Sequence, residues 1–306
     1  MSHELAKNKL IDKLPTLRER AAMFQKARLF FSERGVLEVD PPSLIHCPQN
    51  DPNIDLISTD QDGAFLHSSP EYAMKRLLSA GIGDCYFMGH VFRKNEMGNR
   101  HNPEFTMVEW YRIGFSLLQM IQETCEFLFL FFGKKEIEII TYKEAFTKYV
   151  GINISTISDD ELKKLTNSNW DKESAIHYLI SHKIEPKLGQ NKLSVLIDFP
   201  PEEAALATIV EKDGERVAER FEVYHEGLEL TNGYHELSDS KELKKRFQKN
   251  NQNRISLGKP PYEYDELFLN SLDTLPDCSG VALGFDRALM LKAKLPSIKS
   301  AIPFPS

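Results

Sequence analysis

Residues 92–112 read FRKNEMGNRHNPEFTMVEWYR, and the alternation in this stretch decides the fold. In an extended chain, Phe105, Met107, Glu109 and Tyr111 project to one side, while Thr106, Val108, Trp110 and Arg112 project to the other. One face therefore carries an aromatic plate, a carboxylate and a phenol. Upstream, residues 85–93 form a second extended run. The polar stretch KNEMGNRHNP between the two reads as a loop, so the segment is expected to be a long antiparallel hairpin. The plain reading puts Phe105 and Tyr111 in a core and Glu109 at an edge. Arg93, at the end of the first strand, belongs either to the same cleft or to a surface ion pair.

Working outward, residues 16–34 carry apolar groups at helical spacing and stop at Gly35, after which VLEV and Pro41-Pro42 read as a strand entering a bend. Residues 51–62 read as a loop and 64–68 as a strand. Ser69-Pro70-Glu71 is a helix start, with serine able to cap, proline suited to the first turn and glutamate complementing the dipole. That helix should run to about Ala80. Downstream, LLQMIQETCEFLFLFF (117–132) is a buried helix, too short and too polar to cross a bilayer. Residues 134–192 read as polar helices. Strands follow at 193–199, 204–210, 217–225 and 227–233, then helices near 238–250 and 262–272. CSGVALG (278–284) is a last strand feeding a helix at Asp286. Strands joined by short turns outnumber βαβ units, which predicts an α+β fold around a mainly antiparallel sheet flanked by helices.

The chain has 306 residues, 41% hydrophobic and 27% charged, enough for one large core or two modest ones. A formal charge of -7 argues against a general nucleic-acid binder, because neutralising phosphates needs a basic surface. Cys47, Cys85, Cys125 and Cys278 show no CxxC spacing, so neither a zinc site nor a disulfide framework is indicated and a reducing cytosol is expected. The amino terminus, MSHELAKNKLIDKLP, lacks the apolar segment of a secretory signal. Export and membrane association are not expected.

Two further stretches bear chemistry. RFEVYHEGLELTNGYHE places Glu222, Glu229 and Glu236 at intervals of seven, which in an unbroken strand would put Glu229 and Glu236 on opposite faces. A turn after Glu222 with a bulge or bend at Asn232-Gly233 gathers all three; the alternative is an Asn-Gly hairpin with its glutamates in solvent. GVALGFDR (280–287) combines spaced glycines, which let a ligand approach, with an arginine fork suited to phosphate. The basic run KELKKRFQKNNQNR (241–254) reads as a solvated helix face.

Taken together these pieces resemble class II aminoacyl-tRNA synthetases. ARLFFSERGVLEVDPPSL (27–44) looks like motif 1, the dimer-forming segment, residues 92–112 like motif 2 and GVALGFDR like motif 3, in the right order. Within the class, RHNPEFTM, ELTNGYHEL and Ser69-Pro70-Glu71 resemble the lysyl-tRNA synthetase catalytic domain. The likeness implies one catalytic domain over residues 1–306, with a polar helical insertion around 134–192. Motif 1 begins near residue 27, which leaves no room for the anticodon-reading OB domain of about 100 residues. That architecture is similar to a family of stand-alone synthetase paralogues that attach (R)-β-lysine to a lysine of elongation factor P. Ala282 agrees, since it stands where lysyl-tRNA synthetases usually have glycine and its methyl would reshape the amino-acid pocket.

The resemblance implies roles. Arg93 holds the α-phosphate and the substrate carboxylate, Arg287 holds the terminal phosphate, and Phe105 stacks on adenine. Lys94, Asn95, His101, Asn102, Glu229 and Leu230 border the nucleotide, and Gly284 lets the backbone approach it. Glu222 and Glu229 match magnesium carboxylates, which would repel ATP without Mg2+ between them. Ser69, Pro70, Glu71, Tyr111, Glu236 and Ala282 match the amino-acid pocket, and Glu109 lines the same cleft. A buried ammonium without a partner is very costly, so a diamino acid needs these carboxylates. The implied substrates and partners are ATP with Mg2+, (R)-β-lysine, elongation factor P and a second copy of the chain in a homodimer; tRNA binding is not expected.

One departure concerns adenine. Family motif 2 usually continues Arg-x-Glu, whereas here Arg93-Lys94-Asn95 delays the acid to Glu96. Either Asn95 reads the adenine edge or Glu96 swings in. Two alternatives stand beside the main reading: a lysine-activating enzyme with tRNA or a small molecule as acceptor, and a non-catalytic synthetase-like module. Joint retention of Arg93, Glu222, Glu229 and Arg287 argues against the second.

Overall fold

Local sequence explains most element boundaries. The computed structural model describes residues 3–60 and 63–305; Met1 and Ser2 of the amino terminus, and Gln61 and Asp62 of the expected loop, lie outside them. The first helix, α1 (His3–Ser32), begins well before the expected Thr16 and holds Pro15 inside it. Proline removes one helical hydrogen bond there. Next to it, Lys13 Nζ donates to the carbonyls of Lys299 and Ile302 at 2.8 Å, tying this turn to the carboxy-terminal segment. Short strands β1 (Leu37–Glu38), β2 (Leu44–Ile45), β3 (Ile57–Ser58) and β4 (Phe65–Leu66) lead to α2 (Glu71–Ser79). At the start of α2 the Ser69 hydroxyl accepts the Glu71 amide at 3.0 Å.

The hairpin strands β5 (Cys85–Phe92) and β6 (Glu104–Ile113) pair antiparallel, with Cys85 opposite Tyr111 and Phe92 opposite Glu104. Helix α3 (Leu117–Phe132) starts at a Ser116–Gln119 capping box and ends at Gly133 with φ 69°. The region read as wholly helical opens instead with β7 (Ile137–Thr141), which pairs parallel with a later strand, before α4 (Tyr142–Tyr149), α5 (Asp159–Thr166) and α6 (Lys172–Leu179). Then come β8 (Leu193–Phe199), β9 (Ile209–Lys212), β10 (Glu215–His225), β11 (Leu228–His235), α7 (Ser240–Ser256), α8 (Glu266–Ser271), β12 (Cys278–Gly284), α9 (Phe285–Lys292) and α10 (Ile298–Ala301). The strand expected over 204–210 is replaced by β9, which starts only at Ile209, because Ala205, just after a 3₁₀ turn at Pro201–Glu203, is left-handed and breaks its first half.

The large sheet runs β1-β5-β6-β12-β11-β10-β8-β7, with β9 alongside β10, and β2-β4-β3 form a separate small sheet. Only the outer pairs β1–β5 and β7–β8 are parallel, so the α+β class and the mainly antiparallel sheet hold as expected. One face packs on α1, α3 and α9 through Phe31, Trp110, Phe127, Val281 and Phe285. Burying each such side chain contributes about 1.5–3 kcal/mol. The other face has two covers. Helices α2, α7 and α8 cap one half, with Tyr72 stacked on Phe268 at 4.0 Å, and α4–α6 cap the other through Phe146, Leu162 and Leu179.

The glutamate spacing resolves in β10–β11. Glu226 and Gly227, both at positive φ, make the hairpin turn. Val223 faces Thr231 and Tyr224 faces Glu229, so Leu230 is the extra residue of a β-bulge. The bulge therefore lies at Leu230 and not at Asn232-Gly233, which stays inside the strand. It shifts the alternation by one, bringing Glu229 onto the same face as Asn232 and Tyr234.

Candidate active site

A cavity of about 1580 Å³ lies over the sheet face between the two covers. Ser69, Glu71, Arg93, His101, Asn102, Phe105, Glu109, Tyr111, Glu229, Leu230, Glu236, Ala282, Gly284 and Arg287 all line it. Pro70, Lys94, Asn95 and Glu222 do not.

At one end stand the two arginines. Arg93 leaves β5 with its guanidinium carbon 5.2 Å from the Phe105 ring centroid and Nη1 3.6 Å from Glu96. Its Nε and Oδ1 of Asn102 are buried without hydrogen-bond partners. An orphaned donor and acceptor beside an aromatic plate suit a polar, planar ligand. Asn95 sits at φ 66° and is exposed, and Lys94 has its amide bound to the Asp55 carbonyl at 2.7 Å. This left-handed step, which asparagine tolerates, turns the chain so that Glu96 rather than Asn95 lines the cavity. Arg287 on α9 donates to the Glu229 carbonyl at 3.1 Å and lies 2.6 Å from His101 Nε2. Desolvation and the guanidinium groups of Arg287, Arg93 and Arg100 hold His101 below its ordinary pKa. At Gly284 an added Cβ would make only ordinary contact, with the Arg287 stem at 3.6 Å, so the protein's own packing does not demand glycine.

Asp286 fixes this end. It pairs with Arg20 of α1 and accepts the Thr106 amide at 2.7 Å, while Arg20 also reaches the Thr106 hydroxyl. The buried bridge locks α9 to β6. Arg20 escaped sequence reasoning because its partner is 266 positions away.

The other end is an anionic recess. Oε1 of Glu109 accepts from Tyr111 at 2.7 Å and Oε2 from Ser69 at 2.6 Å. Burial, reinforced by the neighbouring Glu71 charge, pushes the Glu109 carboxyl up to about 8. Burial raises Glu236 to about 7. Lys75, fully buried on α2, lies 2.7 Å from Glu71 and 2.6 Å from Glu236. Sequence reasoning missed Lys75, although its place three residues from both Tyr72 and Leu78, each buried, marks an inward-facing position. Ala282 pairs with Glu109 on one side and Asn232 on the other, at the centre of the recess floor.

Glu222 sits behind the cavity wall. Its oxygens accept from Arg220 and, at 2.6 Å, from Tyr224. Desolvation raises its carboxyl, Arg220 opposes that, and Glu229 adds to it. The donor set of Glu229 with Glu222 in reserve fits a hard cation that takes most of its ligands from phosphate and water. Among the described residues no group of three or more acids, histidines or cysteines is arranged to hold a metal. The run 241–254 is not simply a solvated face: α7 buries Arg254 and Asn251, and Asn251 accepts from Asn50 at 3.0 Å, which pins the 49–53 loop at the cavity edge.

A nucleotide-sized cleft on an antiparallel sheet, with an arginine from the hairpin and another from the last strand–helix junction, defines a class II synthetase-type catalytic domain. Residues 9–306 match the family of class II tRNA synthetases (D, K and N). The chain is 38% identical over 312 residues to the Elongation factor P--(R)-beta-lysine ligase of Hamiltonella defensa, covering 95% of each. It is 40% identical to the proteins of that name from Haemophilus influenzae, over 94% of this chain and 93% of the relative, and Vibrio vulnificus, over 94% and 95%. The chain thus belongs to the family that these ligases form among the class II tRNA synthetases. As such it is an ATP-dependent ligase. Among the described residues no helix is long and apolar enough to cross a membrane.

Proposed function

We propose that the chain activates (R)-β-lysine with ATP as an aminoacyl adenylate and transfers it to a lysine side chain of elongation factor P. The observation that carries this reading is one cavity with Arg93 and Arg287 at one end and Glu71, Glu109 and Glu236 at the other. A triphosphate suits the first end and a guest with two ammonium groups the second. In the first step a substrate carboxylate oxygen attacks the α-phosphorus and pyrophosphate leaves. The nucleophile is already ionised, so no protein base is needed; Arg93 aligns the reactants and Arg287 stabilises charge. In the second, the acceptor amine attacks the acyl carbon, AMP leaves and one amine proton is lost. Free lysine has a pKa of ~10.4, so this amine must first be deprotonated.

Mg2+ would be held by Glu229, which lines the cavity, with Glu222 contributing only if it gave up Arg220 and Tyr224, and when bound it offsets the charge between phosphates and carboxylates. Asn102, His101 and Phe105 border the nucleotide, and Ser69, Tyr111 and Ala282 shape the amino-acid recess. A single catalytic domain with its insertion around 134–192 performs both steps in the cytoplasm. A homodimer is supported by exposed apolar side chains on the motif 1 segment and its neighbours: Leu29, Leu37, Ile82, Ile113 and Leu118.

The test is ATP–pyrophosphate exchange with (R)-β-lysine and α-lysine, followed by transfer to elongation factor P and to tRNA. Preferred exchange with (R)-β-lysine and labelling of elongation factor P are expected. Preference for α-lysine with tRNA charging would overturn the reading.

A further inference from the structure

We infer that Lys75 is a specificity-determining positioning residue: from beneath the amino-acid recess it fixes Glu71 and Glu236 in place and sets the recess charge to match a guest with two ammonium groups. The inference rests on the reading that the recess takes a diamino acid. Lys75 has no exposed surface, and an ammonium in that position is very costly unless paired. Its pairing spans two elements, since Glu71 belongs to α2 and Glu236 follows β11. Oε1 of Glu71 accepts a hydrogen bond from it at 2.7 Å, whereas Oε2 of Glu236 lies at ion-pair distance, 2.6 Å, outside hydrogen-bond geometry. Oε1 of Glu236, its other oxygen, turns toward Gly280 at the recess floor, where an added Cβ would lie 2.5 Å from it.

The charge count follows. Glu71, Glu109 and Glu236 carry three negative charges when ionised, and among the described residues Lys75 is the only cation within ion-pair distance of them. Glu109 is held by the neutral hydroxyls of Ser69 and Tyr111. Three minus one leaves two, the number of ammonium groups on a diamino acid. An amino acid with a neutral side chain would leave one charge unmatched. Without Lys75, three carboxylates in a desolvated recess do not all stay ionised, and one takes up a proton.

The groups around Lys75 supply no substitute. Glu71 of α2 and Glu236 beyond β11 pair with it, Glu109 of β6 and Cys278 of β12 act on it electrostatically, and Cys85 of β5 and Tyr111 of β6 pack in the same cluster as the buried face of α2. Burial pushes the Cys85 thiol up to about 12, and Cys278 is raised likewise. His235 is on the far side of Glu236 and already engaged by Glu219 and Asp277. Burial opposes the Lys75 ammonium, yet Glu236 and Glu71 raise it above its ordinary value.

Titration calorimetry at pH 8 tests the inference by comparing affinities for (R)-β-lysine and for ATP. Lys75→Met should bind (R)-β-lysine about tenfold or more weakly while ATP affinity stays unchanged, a split that general loosening would not produce. The double variant Glu71→Gln/Lys75→Met removes one charge of each sign and should bind (R)-β-lysine more tightly than Lys75→Met. Unchanged affinity of Lys75→Met for (R)-β-lysine would overturn the inference, as would a double variant that binds no more tightly than the single one. If Lys75→Met does not fold, a folded double variant that binds (R)-β-lysine supports it, and failure of both to fold overturns it in favour of a packing role. A wild type that binds no (R)-β-lysine removes the diamino-acid reading first, and this inference with it.

Discussion

A Cβ at Gly280 would lie 2.4 Å from the Tyr111 ring and 2.5 Å from Oε1 of Glu236, so neither side chain could stay in place. Gly280→Ala is therefore expected to raise KM for the amino acid about tenfold, roughly 1.4 kcal/mol, with KM for ATP little changed; equal effects on both would refute the local account. The nucleotide end offers a second contrast. Glu96 lines the cavity beside Arg93, whereas Asn95 serves the turn. Glu96→Gln should raise KM for ATP severalfold. Asn95→Gly should leave kinetics unchanged and hold or slightly raise the melting temperature, because glycine accepts φ 66° without strain. The reverse pattern in steady-state kinetics would favour Asn95 as the adenine reader. Much of the site was legible, because period-two alternation alone sets Phe105, Glu109 and Tyr111 on one face. Arg20 was not, since its partner Asp286 lies 266 positions away, and Lys75 was passed over although its helical spacing and its i,i+4 partner Glu71 are local, because its second partner, Glu236, comes from a distant segment.

The strand β11 shows how an element can be read correctly and its irregularity misplaced. Glycine suggested a bend at Asn232-Gly233, yet Gly233 is there for close approach: an added Cβ would meet the Phe221 ring at 2.3 Å and the Gly280 carbonyl at 2.9 Å. The bulge falls on Leu230, whose side chain is buried against α3 and α9, and nothing local in the sequence marks it. Strand β7 was missed because its five residues stand at the head of a polar helical region, and its pairing with β8 is supplied by residues far along the chain. Helix α9 depends on a similarly distant contact. Asp286→Ala would leave Arg20 buried without its carboxylate, a loss of about 3–5 kcal/mol for a broken buried pair. Asp286→Leu with Arg20→Met should recover most of it. Chemical denaturation of the two variants decides this, and equal destabilisation would show that the bridge to Thr106, not the charge pair, holds the helix.

Across the molecule, the order of strands was the least legible feature, because β12 inserts between β6 and β11 only once the chain has nearly ended. One residue near that late junction should set how stability responds to alkali. Both nitrogens of His235 face carboxylates, Nδ1 toward Glu219 at 2.5 Å and Nε2 toward Asp277 at 2.7 Å. The ring therefore ties β11 to β10 and to the loop that enters β12. The hydrogen bond with Glu219, acting against burial and aided by Asp277, raises its pKa from 6.5 to about 9. A group raised in the folded state contributes stability that is fully present below the unfolded value and lost as pH climbs through the folded one. The wild type should accordingly lose stability between pH 6.5 and about 9, by about 1 kcal/mol after allowing for the exposure of Asp277. His235→Gln should melt lower than the wild type at pH 6.5 and converge with it above pH 9. Thermal melts of both proteins across that range check the sign directly: a gap that stays constant with pH would mean that His235 acts through packing, and a gap that widens with pH would mean that the ring is neutral in the folded protein.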